Sequence, residues 1–169
     1  MEIRRIQVAD VPGFLMLWER VDSEGGFFAN GPPPADRVRM SVEKVVRDGV
    51  PNFVAVKNES VIGVVEVLPG AMCGRSFAGD NKVGYLGLQV AAEHRRKGIG
   101  RKLLRTVIAD STRYGFEAIG LAVFRSNVGA IRLYHEAGFV VRHSTDELSS
   151  SEQLSAREQY MTLSLVNGK

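Results

Sequence analysis

Apolar side chains recur along the chain with two periods, and each change of period marks an element boundary. Alternation over residues 3–8 (IRRIQV) predicts a strand. Asp10 and Pro12 read as a helix opening, Asp10 as N-cap and Pro12 in the first turn. Phe14, Leu15, Leu17, Trp18 and Val21 then supply the apolar face of that helix. Gly25-Gly26 ends it, and Pro32-Pro33-Pro34 forces a loop before a second helix over residues 35–48, stopped by Gly49 and Pro51. Residues 52–57 and 61–68 are strands separated by Asn58-Glu59-Ser60, a hairpin by spacing. Turn-formers without periodicity make residues 69–81 a loop.

The apolar run over residues 85–90 (YLGLQV) is short, aromatic and aliphatic, which predicts another strand. Ile99, Leu103, Leu104, Val107 and Ile108 share one face of the helix that follows, and Gly115 closes it at the C′ position. Residues 116–124 alternate again, with Ile119, Leu121 and Val123 on one side. Ser126-Asn127 cap a helix running to Ala137, which Gly138 terminates. Residues 139–142 and 158–165 read as the last strands, on either side of a polar loop. The resulting order, β-α-α-β-β-β-α-β-α-β-β, predicts an α/β fold of the α+β type, a mixed sheet flanked by helices in one domain over residues 1–169.

Composition narrows the class. The chain has 169 residues, 44% hydrophobic and 24% charged, ordinary for a globular protein. Its single cysteine, Cys73, excludes an internal disulfide and a cysteine metal cluster. His94, His135 and His143 do not share ligand spacing on one element, so no metal is expected. No apolar run reaches the roughly 20 residues that span a bilayer, and the N-terminus lacks a secretion-signal core, so a cytoplasmic location is expected. The formal net charge is only +3, yet Arg95, Arg96, Lys97, Arg101, Lys102 and Arg105 fall close together. That local potential suits a compact polyanion rather than nucleic acid, because no stacking aromatics interleave the cations.

The cluster sits where a strand meets a helix. After residues 85–90 come Arg95-Arg96-Lys97 and then Gly98-Ile99-Gly100, opening the helix. The first N–H groups of a helix have no internal acceptor and carry the positive end of its dipole. Glycine adopts positive φ and lets the main chain approach a ligand. The stretch therefore reads as an anion cradle. It is not a P-loop, since Arg101 and Lys102 follow Gly100 where Lys-Ser/Thr would be needed, and Leu103 stands where a dinucleotide fingerprint needs a small residue.

Two stretches together resemble the GNAT superfamily of N-acetyltransferases. Arg95-Arg96-Lys97-Gly98-Ile99-Gly100 is similar to its Arg/Gln-x-x-Gly-x-Gly/Ala loop. Residues 127–139 (NVGAIRLYHEAGF) are similar to its Asn-x-x-Ala-x-x-Leu-Tyr-x-x-x-Gly-Phe pattern. The resemblance implies a mostly antiparallel sheet of about six or seven strands with about four helices, whose fourth and fifth strands splay apart around acetyl-CoA. It implies that the pyrophosphate meets N–H groups of Arg96, Gly98, Ile99 and Gly100, with Arg95, Lys97 and Arg101 supplying charge. The pantetheine arm would lie along Leu88, Gln89 and Val90, pairing with the main chain of Leu88 and Val90. Asn127 would contact the same arm, besides reading as a plain N-cap, and Ala130 would leave room for it.

Acetyl transfer needs a neutral amine and a proton for the leaving thiolate. Tyr134 matches the family's proton donor, because a phenol with pKa about 10 stays protonated near neutrality. Many relatives carry a carboxylate near the position of Tyr85, but residues 83–90 hold no acid. Glu66, in an otherwise apolar strand, is the replacement candidate for general base, and Tyr85 a second one, relaying a proton through water. Phe27 and Phe28 either line the acceptor pocket or anchor the loop, and residues 143–157 either close over the acceptor or form a plain loop. The expected function is acetyl transfer to a primary amine: an amino acid, a small amine or a peptide N-terminus. The alternative is a degenerate relative that binds CoA as a sensor or scaffold. The only expected partner besides the amine is a second copy of the chain, as monomer or homodimer, with no membrane or nucleic acid.

Overall fold

Strand residues turn apolar side chains to both faces of one sheet, so helices cover it on both sides. The computed structural model describes residues 1–25, 31–73, 82–142 and 157–166. In chain order its elements are β1 (Glu2–Arg5), α1 (Val11–Ser23), α2 (Ala35–Asp48), β2 (Asn52–Lys57), β3 (Ser60–Pro69), the single turn α3 (Gly70–Cys73), β4 (Val83–Val90), α4 (Ile99–Tyr114), β5 (Ala118–Phe124), α5 (Val128–Glu136), β6 (Val140–Arg142) and β7 (Glu158–Ser164). The seven strands are ordered β1-β2-β3-β4-β5-β7-β6. All neighbours pair antiparallel except β4 and β5.

On one face α1 and α2 bury Phe14, Leu17, Val21, Val38, Val42 and Val45 against Val54, Val64 and Leu68. On the other face α4 buries Ile99, Leu103, Leu104 and Val107 against Val65, Val67, Ile119 and Leu121. Full burial of one such aliphatic side chain contributes roughly 1.5–3 kcal/mol. Two ion pairs pin β1 to the helical layers: Arg4 forks onto Asp10 at 2.7 and 2.8 Å, and Arg5 Nη2 lies between the two oxygens of Asp110 at 2.6 and 2.7 Å.

The parallel pairing of β4 with β5 is short. It runs from Val83 opposite Ala118 to Tyr85 opposite Gly120 and then stops. β4 continues to Val90 along β3, and β5 continues to Phe124 along β7. The two strands thus diverge beyond Tyr85, as the resemblance implies.

Several local expectations change. β1 stops at Arg5, and Val8 lies in a 3-10 turn, Val8–Asp10, because Asp10 pulls the chain round by accepting the Gln7 N–H at 2.8 Å. For the same reason Asp10 does not act as a side-chain cap for α1; its carboxylate is committed to Arg4 and Gln7, and these contacts hold it below its ordinary pKa. The hairpin loop is Asn58-Glu59 alone, both at positive φ, with Lys57 opposite Ser60. Residues 70–73 form a helical turn where a loop was expected, and Phe116 packs in the core before β5 begins.

Candidate active site

The divergence of β4 and β5 opens a cleft of about 610 Å³. One wall is β4, through Leu86, Gly87, Leu88, Gln89 and Val90; the other is β5, through Ala122, Val123 and Phe124. The start of α4 contributes Gly98, Gly100 and Arg101, and α5 contributes Ala130, Leu133 and Tyr134. Of the residues singled out from the sequence, Leu88, Gln89, Val90, Arg95, Arg96, Gly98, Gly100, Arg101, Asn127, Ala130 and Tyr134 converge on this one cleft. Ile99 is instead buried in the core beneath the loop, and Lys97 turns away to donate to the Glu93 carbonyl at 2.7 Å.

The loop before α4 is shaped by two left-handed residues. Gly98, the N-cap, has φ 78°, and Arg96 has φ 62°. The Lys102 N–H makes the first helical bond, to the Gly98 carbonyl, so the N–H groups of Ile99, Gly100 and Arg101 precede the internal ladder. A Cβ at Gly100 would sit 3.4 Å from Leu133 Cδ2, which is how closely α4 approaches α5 there. Alternating left- and right-handed backbone with unpaired N–H groups is a geometry that binds anions.

The cations are not equally available. Arg95 donates to the Val90 carbonyl at 2.8 Å and forks onto Glu24 at 2.6 and 2.8 Å, tying the loop to the end of α1. Arg101 and Arg132 both bind Glu136, whose carboxyl they hold below its ordinary pKa, Arg101 more strongly. Arg96 makes no ion pair among the described residues. Of the cations that line the cleft mouth at the start of α4, Arg95 and Arg101 are thus neutralised by carboxylates, and Arg96 between them is not.

On α5, Asn127 is the N-cap its sequence position suggests, accepting the Ala130 N–H at 3.2 Å. Tyr134 is buried against Phe139, ring centres 5.7 Å apart, and lines the cleft. Burial raises its phenol well above the ordinary value, so the hydroxyl keeps its proton.

Glu66 does not line that cleft but lies beside it, on the α1/α2 face of the sheet between Val64 and Leu68. It pairs in register with Asn52 on β2 and Gly87 on β4. Asn52 Nδ2 donates to Glu66 Oε2 at 3.3 Å, and a Cβ at Gly87 would stand 3.2 Å from Glu66 Oε1. Burial pushes the half-buried carboxyl up to about 7, while the Asn52 amide acts the other way. Tyr85 shares this face and is buried.

Asn52, Gly87, Glu24 and Glu136 were not legible as site residues. Gly87 carried a signal, since a glycine inside a strand marks a close approach. Asn52 carried none, because at the start of the strand over residues 52–57 nothing local says which side chain lies across from it. Phe27, Phe28, His143 and residues 143–156 lie outside the described residues. No helix among the described residues is long and apolar enough to cross a membrane, and no group of three or more His, Cys, Asp or Glu among them converges as a metal set.

Known proteins resemble this arrangement. The chain is 31% identical to N-acetyltransferase 8B of Rattus norvegicus over 87 residues, 52% of this chain and 38% of that protein. It is 36% identical to the L-methionine sulfoximine/L-methionine sulfone acetyltransferase of Salmonella typhimurium over 67 residues, 40% of this chain and 39% of that protein. It therefore matches less than half the length of either relative. The fold superposes on yncA of Salmonella typhimurium, solved with its cofactor acetyl-CoA, with a TM-score of 0.83, 24% identity, and coverage of 100% of this chain and 96% of that one. Because the model of the acetyltransferase (GNAT) family matches residues 16–139, most of the sequence, the chain belongs to the GNAT family of acetyltransferases.

Proposed function

We propose that the protein transfers the acetyl group of acetyl-CoA to a primary amine, by direct attack of the amine. The observation that carries this reading is the cleft itself, which runs from the N-terminus of α4 to Tyr134 between diverging strands. The residues present fit a pantetheine nucleotide. The N–H groups of Arg96, Gly98, Ile99 and Gly100 and the Arg96 guanidinium suit a diphosphate, and the edge of β4 from Leu88 to Val90 that no strand pairs suits an amide-bearing arm, apart from the Val90 carbonyl that Arg95 occupies. Asn127 and Ala130 border the same arm, the first as a polar contact and the second as space. Arg95 and Arg101 act mainly by holding the loop and α5 in place, and Lys97 adds only long-range charge.

Bound acetyl-CoA supplies a thioester carbonyl to the amine. Glu66 takes a proton from the incoming ammonium, which enters from the α1/α2 face. Tyr134 holds a proton at its hydroxyl for the departing thiolate. With a carboxyl near pKa 7, Glu66 is poised to gain and lose a proton at neutral pH. An amino acid, a small amine and a peptide N-terminus all carry the required group, and an amino-acid derivative is named for the Salmonella typhimurium relative.

The test is thiol release from acetyl-CoA across a panel of amines, amino acids and peptides, with calorimetry for acetyl-CoA alone. Turnover on one acceptor class supports the enzyme. Tight acetyl-CoA binding with no turnover on any amine would make the protein a CoA-binding sensor or scaffold, and no binding at millimolar acetyl-CoA would end both readings.

A further inference from the structure

Asn52 is 2% exposed, yet it is a polar residue set among Val54, Val64 and Leu68. Its Nδ2 reaches Glu66 Oε2 at 3.3 Å, while its Oδ1 is buried and meets no donor among the described residues. Leaving a buried amide carbonyl without a donor costs about 1–3 kcal/mol. An aliphatic residue there would avoid that cost, so folding alone does not account for the asparagine. The opposite end of the Glu66 carboxylate points the other way. Oε1 lies over Gly87, where a Cβ would come within 3.2 Å of it, and Gly87 borders the cleft. The carboxyl group is thus tethered on β2 and presented on β4.

We infer that Asn52 is a positioning residue for acyl transfer: its amide N–H fixes the Glu66 carboxylate so that Oε1 passes over Gly87 toward the incoming amine. This rests on the reading of Glu66 as proton acceptor. In that step an ammonium N–H bond breaks, its electron pair stays on nitrogen, and the proton bonds to Oε1. Glu66 becomes a neutral acid, and the Asn52 contact changes from charge-assisted to neutral. A hydrogen bond to the charged form is the stronger of the two, so Asn52 favours the ionised carboxylate. Among the described residues, the other titratable or charged groups that the strands place on this face are Tyr85 on β4, Tyr160 and Glu158 on β7, Arg142 on β6 opposite Tyr160, and Glu2 and Arg4 on β1, the arginine paired with Asp10. The helices above present Phe14, Leu17, Val38 and Val42, which carry no charge.

The experiment follows the Glu66 carboxyl by ¹³C NMR in glutamate-labelled protein, the resonance being assigned from its loss in Glu66→Gln. The midpoint is compared between the wild type, Asn52→Leu and the smaller Asn52→Ala, which serves if the leucine does not fold. The expected result is a midpoint moved up by about one unit, with the acidic limb of kcat/KM moving with it. Tm is expected to be unchanged or higher, whereas a purely structural asparagine would lower Tm and leave the titration in place. If Glu66→Gln abolishes the acidic limb but neither Asn52 variant moves the midpoint, the role of Asn52 is overturned and that of Glu66 stands. If Glu66→Gln keeps the wild-type limb, Glu66 is not the base, and the inference fails with it.

Discussion

Glu66 and Tyr134 stand on opposite faces of one sheet, at the place where β4 and β5 part. Glu66 shares its face with the residues under α1 and α2, and Tyr134 packs with those under α4. The pairing of β4 with β5 ends at Tyr85, and Gly87, two residues on, is the register partner of Glu66. In an intact sheet the two side chains would be separated by a closed layer of backbone. The pairing that would close that layer between β4 and β5 is absent beyond Tyr85, and the proposed function uses the gap to bring a proton acceptor and a proton donor to one reacting centre from either side.

Tyr134→Phe keeps the ring that packs on Phe139 and removes only the hydroxyl. We expect kcat to fall by roughly 10²–10⁴ with acetyl-CoA binding retained, measured by steady-state kinetics and calorimetry. An unchanged kcat would remove Tyr134 from the chemistry.

Glu66 sets two pH dependences. Its carboxyl titrates near 7 in the folded chain against an ordinary value of 4.5, so the native state binds more protons between these values. Unfolding free energy should therefore fall as pH rises from about 4.5 to 7 and level off above, by at most roughly 3 kcal/mol. Denaturant unfolding of Glu66→Gln should lack that slope. With Glu66 as the base of the proposed function, kcat/KM should rise with pH to a plateau above about 7, a limb the glutamine variant should lose.

Gly87→Ala tests whether the absent side chain is what admits the carboxylate to the cleft. The new Cβ would stand 3.2 Å from Glu66 Oε1 and 3.3 Å from its Cγ, so the carboxyl group must move. We expect a folded protein with acetyl-CoA affinity kept and kcat/KM lowered by roughly 10–100-fold, since small misplacement of a reacting group has effects of that size. Wild-type kcat/KM would mean that Oε1 does not work through this opening.

Arg96 and Gly98 share a left-handed backbone but should respond in opposite ways. A Cβ at Gly98 meets nothing within 4 Å, so Gly98→Ala suffers from its φ of 78° alone and should lose about 1–2 kcal/mol. Arg96→Gly should relieve backbone strain and leave stability equal or higher. It should also weaken acetyl-CoA binding and reduce its salt dependence, because it removes the cleft-lining arginine of the loop that has no carboxylate partner among the described residues. Thermal unfolding and calorimetry at two salt concentrations separate the two effects.

Local chemistry determined most of the elements. The periodic apolar positions of α4, the Asn127 cap and the glycines at positions 98, 115 and 138 each act within a few residues, and each is found where the sequence implies. The two motifs around Arg95–Gly100 and Asn127–Phe139 carried the family and most of the cleft for the same reason. Tertiary structure decided what depends on distant partners. The Arg95 and Arg101 charges are spent on Glu24 and Glu136, which stand 71 and 35 residues away. Asn52 meets Glu66 only because β2 and β3 pair in one register, and the Glu66 carboxyl lies over a residue of the cleft wall only because β4 places Gly87 opposite it. Spacing along a chain fixes which face a residue takes; which side chain waits across the strand is set by the register of the assembled sheet.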